Sequence, residues 1–234
     1  MKLIYIHIPK TSGSAFRSVL LKNFSPSEYF ICTGGNRTVR DYLQHSFDQF
    51  YSIRDLSNIR LFLGHMPYGL HRLIPTDCSY FTYVREPVDR VLSEYYYIVE
   101  TPENQNHLQV NGLSISQYLT GDIFLPNLQS RMISGNLNQN ATTGELIESA
   151  IYHLKNMYDF VGVYENLTDS IAKFEQQYHL KIGKIPTLNT TNNRPKVADI
   201  DKNILELILE KNAADVAVYK WCLSNLEQPI TTKR

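Results

Sequence analysis

The chain has 234 residues, and its 23 lysines and arginines balance its 23 aspartates and glutamates. A chain of this length can bury a core without disulfides or metals, so we expect one domain over residues 1–234. Zero formal net charge argues against nucleic acid as a partner. The first apolar segment stops at Pro9, too early for a membrane span, and no signal-peptide pattern follows it. We therefore expect a soluble, cytoplasmic protein without a transmembrane segment.

Apolar periodicity predicts alternating strands and helices along the chain. The predicted strands are Leu3–Ile8, Arg60–Leu63, Tyr80–Val84 and Phe160–Val163, and the predicted helices cover 87–99, 145–157, 168–178 and 200–222. This alternation is typical of the α/β class, here a P-loop-like sandwich with a central, largely parallel β-sheet flanked by helices. The polar stretch 101–144 is either part of a ligand cleft or surface loop.

A loop that suits an anion follows the first strand. Residues 5–16 read YIHIPKTSGSAF, in which a strand-like run is followed by PKTSGS and then by helical spacing. Backbone N–H groups at such a helix N-terminus suit a phosphate. Lys10 precedes Gly13, the single glycine of the loop, so the Walker A pattern is absent and ATP is not the first candidate.

The second motif, FTYVREPVDRVLSEYYY, spans residues 81–97. Pro87 suits the first turn of the predicted helix, whose apolar stripe leaves Ser93 and Tyr97 on its polar side. Arg90, also off the stripe, either contacts a ligand or forms a salt bridge with Glu86 or Glu94. Lys10, His65 and Arg85 each follow a predicted strand end, so we expect them in one crevice at the carboxyl edge of the sheet.

Both segments resemble motifs of sulfotransferases that use 3′-phosphoadenosine 5′-phosphosulfate (PAPS), especially the carbohydrate, heparan sulfate 2-O/6-O-like type. In that family I-H-I-P/Q-K-T-x-G-[ST] holds the 5′-phosphosulfate, and R-[DE]-P-x-x-R-x-x-S-x-[YW] after a strand holds the 3′-phosphate. Weaker similarities lie at 63–67, 127–135, 161–167 and 189–195. The resemblance implies in-line transfer of a sulfuryl group to a hydroxyl acceptor, with adenosine 3′,5′-bisphosphate as product. We expect a saccharide or a glycolipid as acceptor, and a small natural product is the open alternative. Animal carbohydrate sulfotransferases of this type carry a membrane anchor, so we expect here either a soluble bacterial member, which the start at Met1 favours, or a chain trimmed of its anchor.

The resemblance also implies which residues bind the donor. Lys10 would bind the donor and offset the charge on the leaving group. The planar guanidinium of Arg85 suits the 3′-phosphate. The implied donor ligands are Lys10, Thr11, Ser12, Gly13, Ser14, Ala15, Arg85, Ser93, Thr190, Thr191 and Arg194.

His65 matches the catalytic histidine of the 2-O-type members and is the predicted general base. The histidine that those members often carry two positions earlier is replaced here by Leu63. His7 is predicted to be buried and hydrogen-bonded. Tyr97 is predicted to contact the acceptor, and Arg131 either contacts the acceptor or forms a structural ion pair. The fallback bases, which have no positional support, are Glu28, His45 and His71.

Two alternatives are a P-loop small-molecule kinase and a non-catalytic nucleotide-binding relative. The kinase would need a Walker A lysine and a metal-binding aspartate at a strand end. No metal-ligand motif such as HxxEH or CxxC is present, so no metal is expected. Tight product binding without any transfer would identify the non-catalytic relative.

Overall fold

The fold is a five-stranded parallel sheet with helices on both faces, in a computed structural model that describes residues 1–32, 43, 45–51, 56–186 and 194–225. The strands are β1 (Lys2–Ile6), β2 (Tyr29–Cys32), β3 (Leu61–Gly64), β4 (Cys78–Val84) and β5 (Tyr158–Val163). Their order is β2-β3-β1-β4-β5, and every neighbouring pair is parallel. The predicted fold class is confirmed, and the expectation of one domain over residues 1–234 stays a prediction.

Ten α-helices lie within the described residues, three of them after the last strand. They are α1 (Gly13–Leu20), α2 (Asp48–Tyr51), α3 (Pro87–Glu100), α4 (His107–Val110), α5 (Ile115–Thr120), α6 (Leu128–Ser134), α7 (Thr143–Asn156), α8 (Leu167–Tyr178), α9 (Lys202–Lys211) and α10 (Ala213–Asn225). The predicted helix 200–222 is two helices, because the chain breaks at Asn212. The stretch 101–144 contains three short helices, of which α6 is buried along its whole length.

Alternate residues of each strand face opposite sides of the sheet, and two apolar clusters cover those sides. Helices α6, α7 and α10 pack on one side through residues such as Met132, Leu154 and Val218. Helices α1 and α8 pack on the other through Phe16 and Phe174. A third cluster joins the apolar stripe of α3 to α5 and α9. The central strand β1 is thus buried on both faces, as a parallel sheet requires.

Candidate active site

Three adjacent strands bring the main candidate residues to one edge of the sheet. Strands β3 and β4 flank β1, so the segments that follow these three strands begin side by side at their carboxyl ends. Lys10, His65 and Arg85 lie on those segments. In open parallel sheets this is the point where connections diverge to opposite sides and where ligands bind.

The loop after β1 has two residues with left-handed backbone. Lys10 and Ser12 both have φ 68°, on either side of Thr11. Alternation of this kind turns successive N–H groups toward one concave side, which suits an anion. The Thr11 hydroxyl donates to the Ile8 carbonyl at 2.9 Å and is buried. The Thr11 hydroxyl is thus engaged within the loop. The group that Thr11 can present to a ligand is its main-chain N–H.

Gly13 begins α1 directly against the His7 ring. A Cβ atom built on Gly13 would lie 1.9 Å from His7 Cδ2 and Nε2, so any side chain here would collide with the imidazole. The φ of Gly13 is not positive, and backbone conformation does not demand glycine at this position. The close packing of the loop on β1 explains this glycine without a ligand.

Arg85 connects the end of β4 to the loop after β1. Its Nη1 donates to the Lys10 carbonyl at 2.8 Å, and its Nε donates to Asp89 Oδ2 at 2.8 Å. The guanidinium lies over the Tyr164 ring, 4.1 Å from the centroid. The Gln129 side-chain amide accepts from Arg85 N at 3.0 Å and donates to Arg85 O at 2.9 Å. These contacts fix the backbone and the side chain of Arg85 together.

One side of α3 faces this loop. Arg85, Asp89, Ser93 and Tyr97 follow each other at intervals of four residues, which places them along one face. Asp89 Oδ1 accepts from Arg194 Nη1 at 2.6 Å, so the C-terminal segment reaches the same face. Ser93 is buried there. Thr190 and Thr191 lie outside the described residues.

The Lys10 ammonium lies 3.7 Å from the centroid of the Tyr97 ring, a cation–π contact. Tyr97, predicted to contact the acceptor, thus contacts Lys10. Burial lowers the Lys10 pKa to about 8, nearby arginines lower it, and the Glu94 carboxylate opposes them. A substantial share of this amine is consequently neutral just above physiological pH.

His65 is held by the backbone of the residue that follows β1. Its Nδ1 lies 2.7 Å from the His7 carbonyl oxygen, and since a carbonyl only accepts, Nδ1 carries the proton and Nε2 carries the lone pair. Gly64 gives the turn that leads to His65, because it has φ 151° and a Cβ there would lie 2.3 Å from the Cys32 carbonyl oxygen. Burial lowers the pKa of His65 below its ordinary value, so the imidazole is neutral at pH 7.

A second histidine lies beside His65, although position 63 carries a buried leucine. The His7 and His65 ring centroids are 4.3 Å apart. His7 is buried as predicted, its Nδ1 has no hydrogen-bond partner within the described part of the chain, and a hydrogen bond through Nε2 stays a prediction. Burial, followed by the charge of His65, lowers the His7 pKa well below its ordinary value.

Other predicted residues have different surroundings. Arg131 is 4% exposed, and its guanidinium donates to the Pro126 carbonyl at 3.0 Å and the Asn138 carbonyl at 2.8 Å. These contacts stabilise the turns on either side of α6, and a role for Arg131 at the acceptor stays a prediction. Arg90 is buried and pairs with Glu94 at 2.9 Å, whereas Glu86 caps α3 by accepting from Asp89 N.

The fallback bases lie apart from His65. Glu28 precedes β2 at the amino end of the sheet and pairs with Arg60. His71 contacts the Tyr80 hydroxyl near the start of β4, and His45 is exposed beside Asp48. These contacts give none of the three a place beside Lys10 or Arg85.

Sequence reasoning missed three residues that shape the site: Asp89, Gln129 and Tyr164. Asp89 could have been found from its i, i+4 spacing to Arg85, as Glu94 was from its spacing to Arg90. Gln129 and Tyr164 come from distant segments, and no local pattern connects them with Arg85.

Two searches of the described ranges give negative findings. No three histidine, cysteine, aspartate or glutamate side chains come together there in a way that would hold a metal ion. In the same ranges, every helix is too short or too polar to cross a bilayer.

Comparison with known proteins identifies the family. A model of the sulfotransferase family matches residues 1–221. The chain belongs to the sulfotransferase family. Heparan-sulfate 6-O-sulfotransferase 2 of Danio rerio is 24% identical over 267 residues, which cover 94% of this chain and 56% of that protein. The chain thus spans about half the length of this curated relative. The crystal structure of mouse sulfotransferase SULT7A1 complexed with PAP has a TM-score of 0.42 and 14% sequence identity, covering 89% of this chain and 62% of the mouse chain.

Proposed function

We propose that this family member transfers a sulfuryl group from PAPS to a hydroxyl of a saccharide. The contact between the Arg85 guanidinium and the Lys10 carbonyl carries the proposal, because it joins the two anion-binding segments at the diverging edge of the sheet. The family match over residues 1–221 supports sulfuryl transfer as the reaction. The name of the Danio rerio relative supports a saccharide acceptor.

The donor-side residues fit a nucleotide with phosphates at both ends of the ribose. The N–H groups from Thr11 to Ala15, at the start of α1, face the 5′ end together with Lys10. Arg85, Ser93 and Arg194 bind the 3′-phosphate, and the Arg85 fork recognises it better than an ammonium would. Thr190 and Thr191, predicted to cover the nucleotide, belong to the same proposal.

His65 acts as general base in this proposal. Its Nε2 takes the proton from the acceptor hydroxyl, and the acceptor oxygen forms a bond to sulfur. The sulfur–oxygen bond to the 5′-phosphate breaks, and its electron pair leaves with the phosphate oxygen. Lys10, as the ammonium, and the dipoles of the loop stabilise the charge on that oxygen. Adenosine 3′,5′-bisphosphate is the other product.

The test uses radiolabelled PAPS with a panel of uronic-acid polysaccharides, neutral oligosaccharides and glycolipids. We expect label in a saccharide, and we expect His65→Ala to lower turnover by about 10²–10⁴-fold while its affinity for adenosine 3′,5′-bisphosphate is unchanged. His45→Ala is the matched control, because His45 is exposed and pairs with Asp48.

Normal turnover of His65→Ala would show that the base lies elsewhere. Tight binding of adenosine 3′,5′-bisphosphate without transfer to any acceptor would contradict the enzymatic proposal and favour a non-catalytic relative.

A further inference from the structure

Asp89 holds two arginines, one four residues before it and one 105 residues after it. Its Oδ2 accepts from Arg85 Nε at 2.8 Å and also from Arg85 Nη2. Its Oδ1 accepts from Arg194 Nη1 at 2.6 Å, and the same nitrogen reaches the Asp89 carbonyl at 3.0 Å. The carboxylate therefore lies between the two guanidinium groups that the proposed function assigns to the 3′-phosphate.

Arg85 retains N–H groups for a ligand while it pairs with Asp89. A guanidinium has five N–H donors, and described partners engage one on each nitrogen: Asp89 at Nε and Nη2, and the Lys10 carbonyl at Nη1. The remaining two lie on Nη1 and Nη2. A phosphate can therefore bind Arg85 with the Asp89 carboxylate still in place beside it.

The Asp89 carboxylate cancels part of the positive charge of the Arg85 and Arg194 guanidinium groups. Two guanidiniums and one carboxylate leave a single net positive charge for a phosphate monoester that carries about −1.5 to −2. The Asp89 side chain is 21% exposed, so solvent screens its repulsion of the phosphate only in part. An uncharged side chain of the same shape would leave both positive charges to the phosphate.

We propose that Asp89 is a specificity-determining residue that limits the affinity for the 3′-phosphate and thereby speeds the release of adenosine 3′,5′-bisphosphate. The inference rests on the proposed function. Donor and product share the 3′-phosphate, so affinity for this group holds both equally and does not accelerate the chemical step. Release of product limits turnover in many enzymes, and a site with two unopposed arginines would retain it longer.

The decisive variant is Asp89→Asn, which removes the charge and keeps the shape. Its matched control is Asp169→Asn, since Asp169 is the third residue of α8 as Asp89 is of α3, and it is exposed. This control accounts for the loss of a negative charge near a helix N-terminus. Asp89→Ser provides a second variant if the amide impairs folding, and thermal unfolding of both reports their integrity.

Calorimetry measures adenosine 3′,5′-bisphosphate and AMP binding to each variant, and stopped-flow displacement measures dissociation of the bisphosphate. We expect Asp89→Asn to bind the bisphosphate about tenfold more tightly, with dissociation slowed by a similar factor, and AMP binding unchanged. Asp169→Asn should match the wild type.

Weaker or unchanged bisphosphate binding by Asp89→Asn would overturn the inference and make Asp89 a residue that only orients the arginines. Equal tightening of AMP and the bisphosphate would also overturn it. A wild type that binds the two nucleotides equally would contradict the proposed 3′-phosphate site itself, and the inference with it.

Discussion

Two arginine–carboxylate pairs with the same four-residue spacing lie at α3, but they have different surroundings. In the outer pair, the Arg85 and Asp89 side chains are 7% and 21% exposed, and they also contact Lys10, Tyr164 and Arg194. In the inner pair, Arg90 and Glu94 are 0% and 12% exposed. The outer pair connects separate segments of the chain, whereas the inner pair is more deeply buried. Identical spacing thus gives one pair that joins segments and one that is enclosed in the core.

Burial makes the charge of the inner pair depend on further charged neighbours. The Arg90 Nε and Nη2 atoms have no hydrogen-bond partner within the part of the chain that the structure describes. Desolvation lowers the pKa of Arg90, but the charges of Glu94 and Asp215 outweigh it, so the net direction is upward. The guanidinium stays charged in the core, and its balance depends on those two carboxylates.

The largest expected effect is on stability, from Arg90→Ala. Removal of one partner from a buried ion pair leaves the other charge uncompensated, which costs about 3–5 kcal/mol. Urea unfolding followed by circular dichroism measures the loss in the free energy of unfolding. The control is Lys202→Ala, which breaks an exposed pair with Glu206 and should cost less than about 1 kcal/mol. Equal losses in both variants would contradict the assignment of Arg90–Glu94 as a buried pair that stabilises the fold.

Arg85→Ala should affect ligand binding more than folding. A charge-assisted hydrogen bond contributes roughly 1.5–3 kcal/mol, so affinity for adenosine 3′,5′-bisphosphate should fall by about one to two decades, with AMP affinity unchanged. Calorimetry with both nucleotides measures the change in preference. Arg85→Lys keeps the charge without the fork and should lie between the alanine variant and the wild type. If Arg85→Ala keeps the full preference for the bisphosphate, another residue holds the 3′-phosphate.

The smallest expected effect is a shift in the pH dependence of kcat/KM. It concerns Lys10, whose carbonyl accepts from Arg85 of the outer pair and whose pKa is raised by Glu94 of the inner pair. The proposed mechanism requires neutral His65 and charged Lys10, so kcat/KM should fall at acid pH as His65 is protonated, and above about pH 8 as Lys10 loses its proton. Glu94→Gln removes a charge that raises the Lys10 pKa, so the alkaline limb should move to lower pH. Glu206→Gln, at an exposed site, should leave it in place. Movement of the limb to higher pH would be inconsistent with this assignment.

The sequence was sufficient to predict β1, β3, β4 and β5, because each is an apolar run bounded by turn residues. It also predicted that Lys10, His65 and Arg85 share one edge, since residues after parallel strands collect there. Strand β2 was missed because its four residues follow a polar turn and give too little periodicity.

Helix α6 could not be predicted because its polar residues are buried by partners far along the chain. Asp215, on α10, accepts from Ser130 N at 2.7 Å and from Gln129 N at 3.1 Å. Asn212 Oδ1 accepts from Asn127 N at 3.1 Å, and Asn127 Oδ1 accepts from Ala214 N at 2.9 Å. These bonds join segments about 85 residues apart, so the local pattern shows only a polar stretch. The same long-range bonds place Gln129 against Arg85.

The contact between Gly13 and the His7 ring has an evolutionary consequence. A methyl group at position 13 is excluded by the imidazole, not by the backbone, so the two positions should change together among relatives. A side chain smaller than histidine at position 7 would permit alanine at position 13, and a large ring at position 7 would retain glycine. Sequence covariation between positions 7 and 13 would then result from the size of the side chain at position 7 and not from binding of the donor.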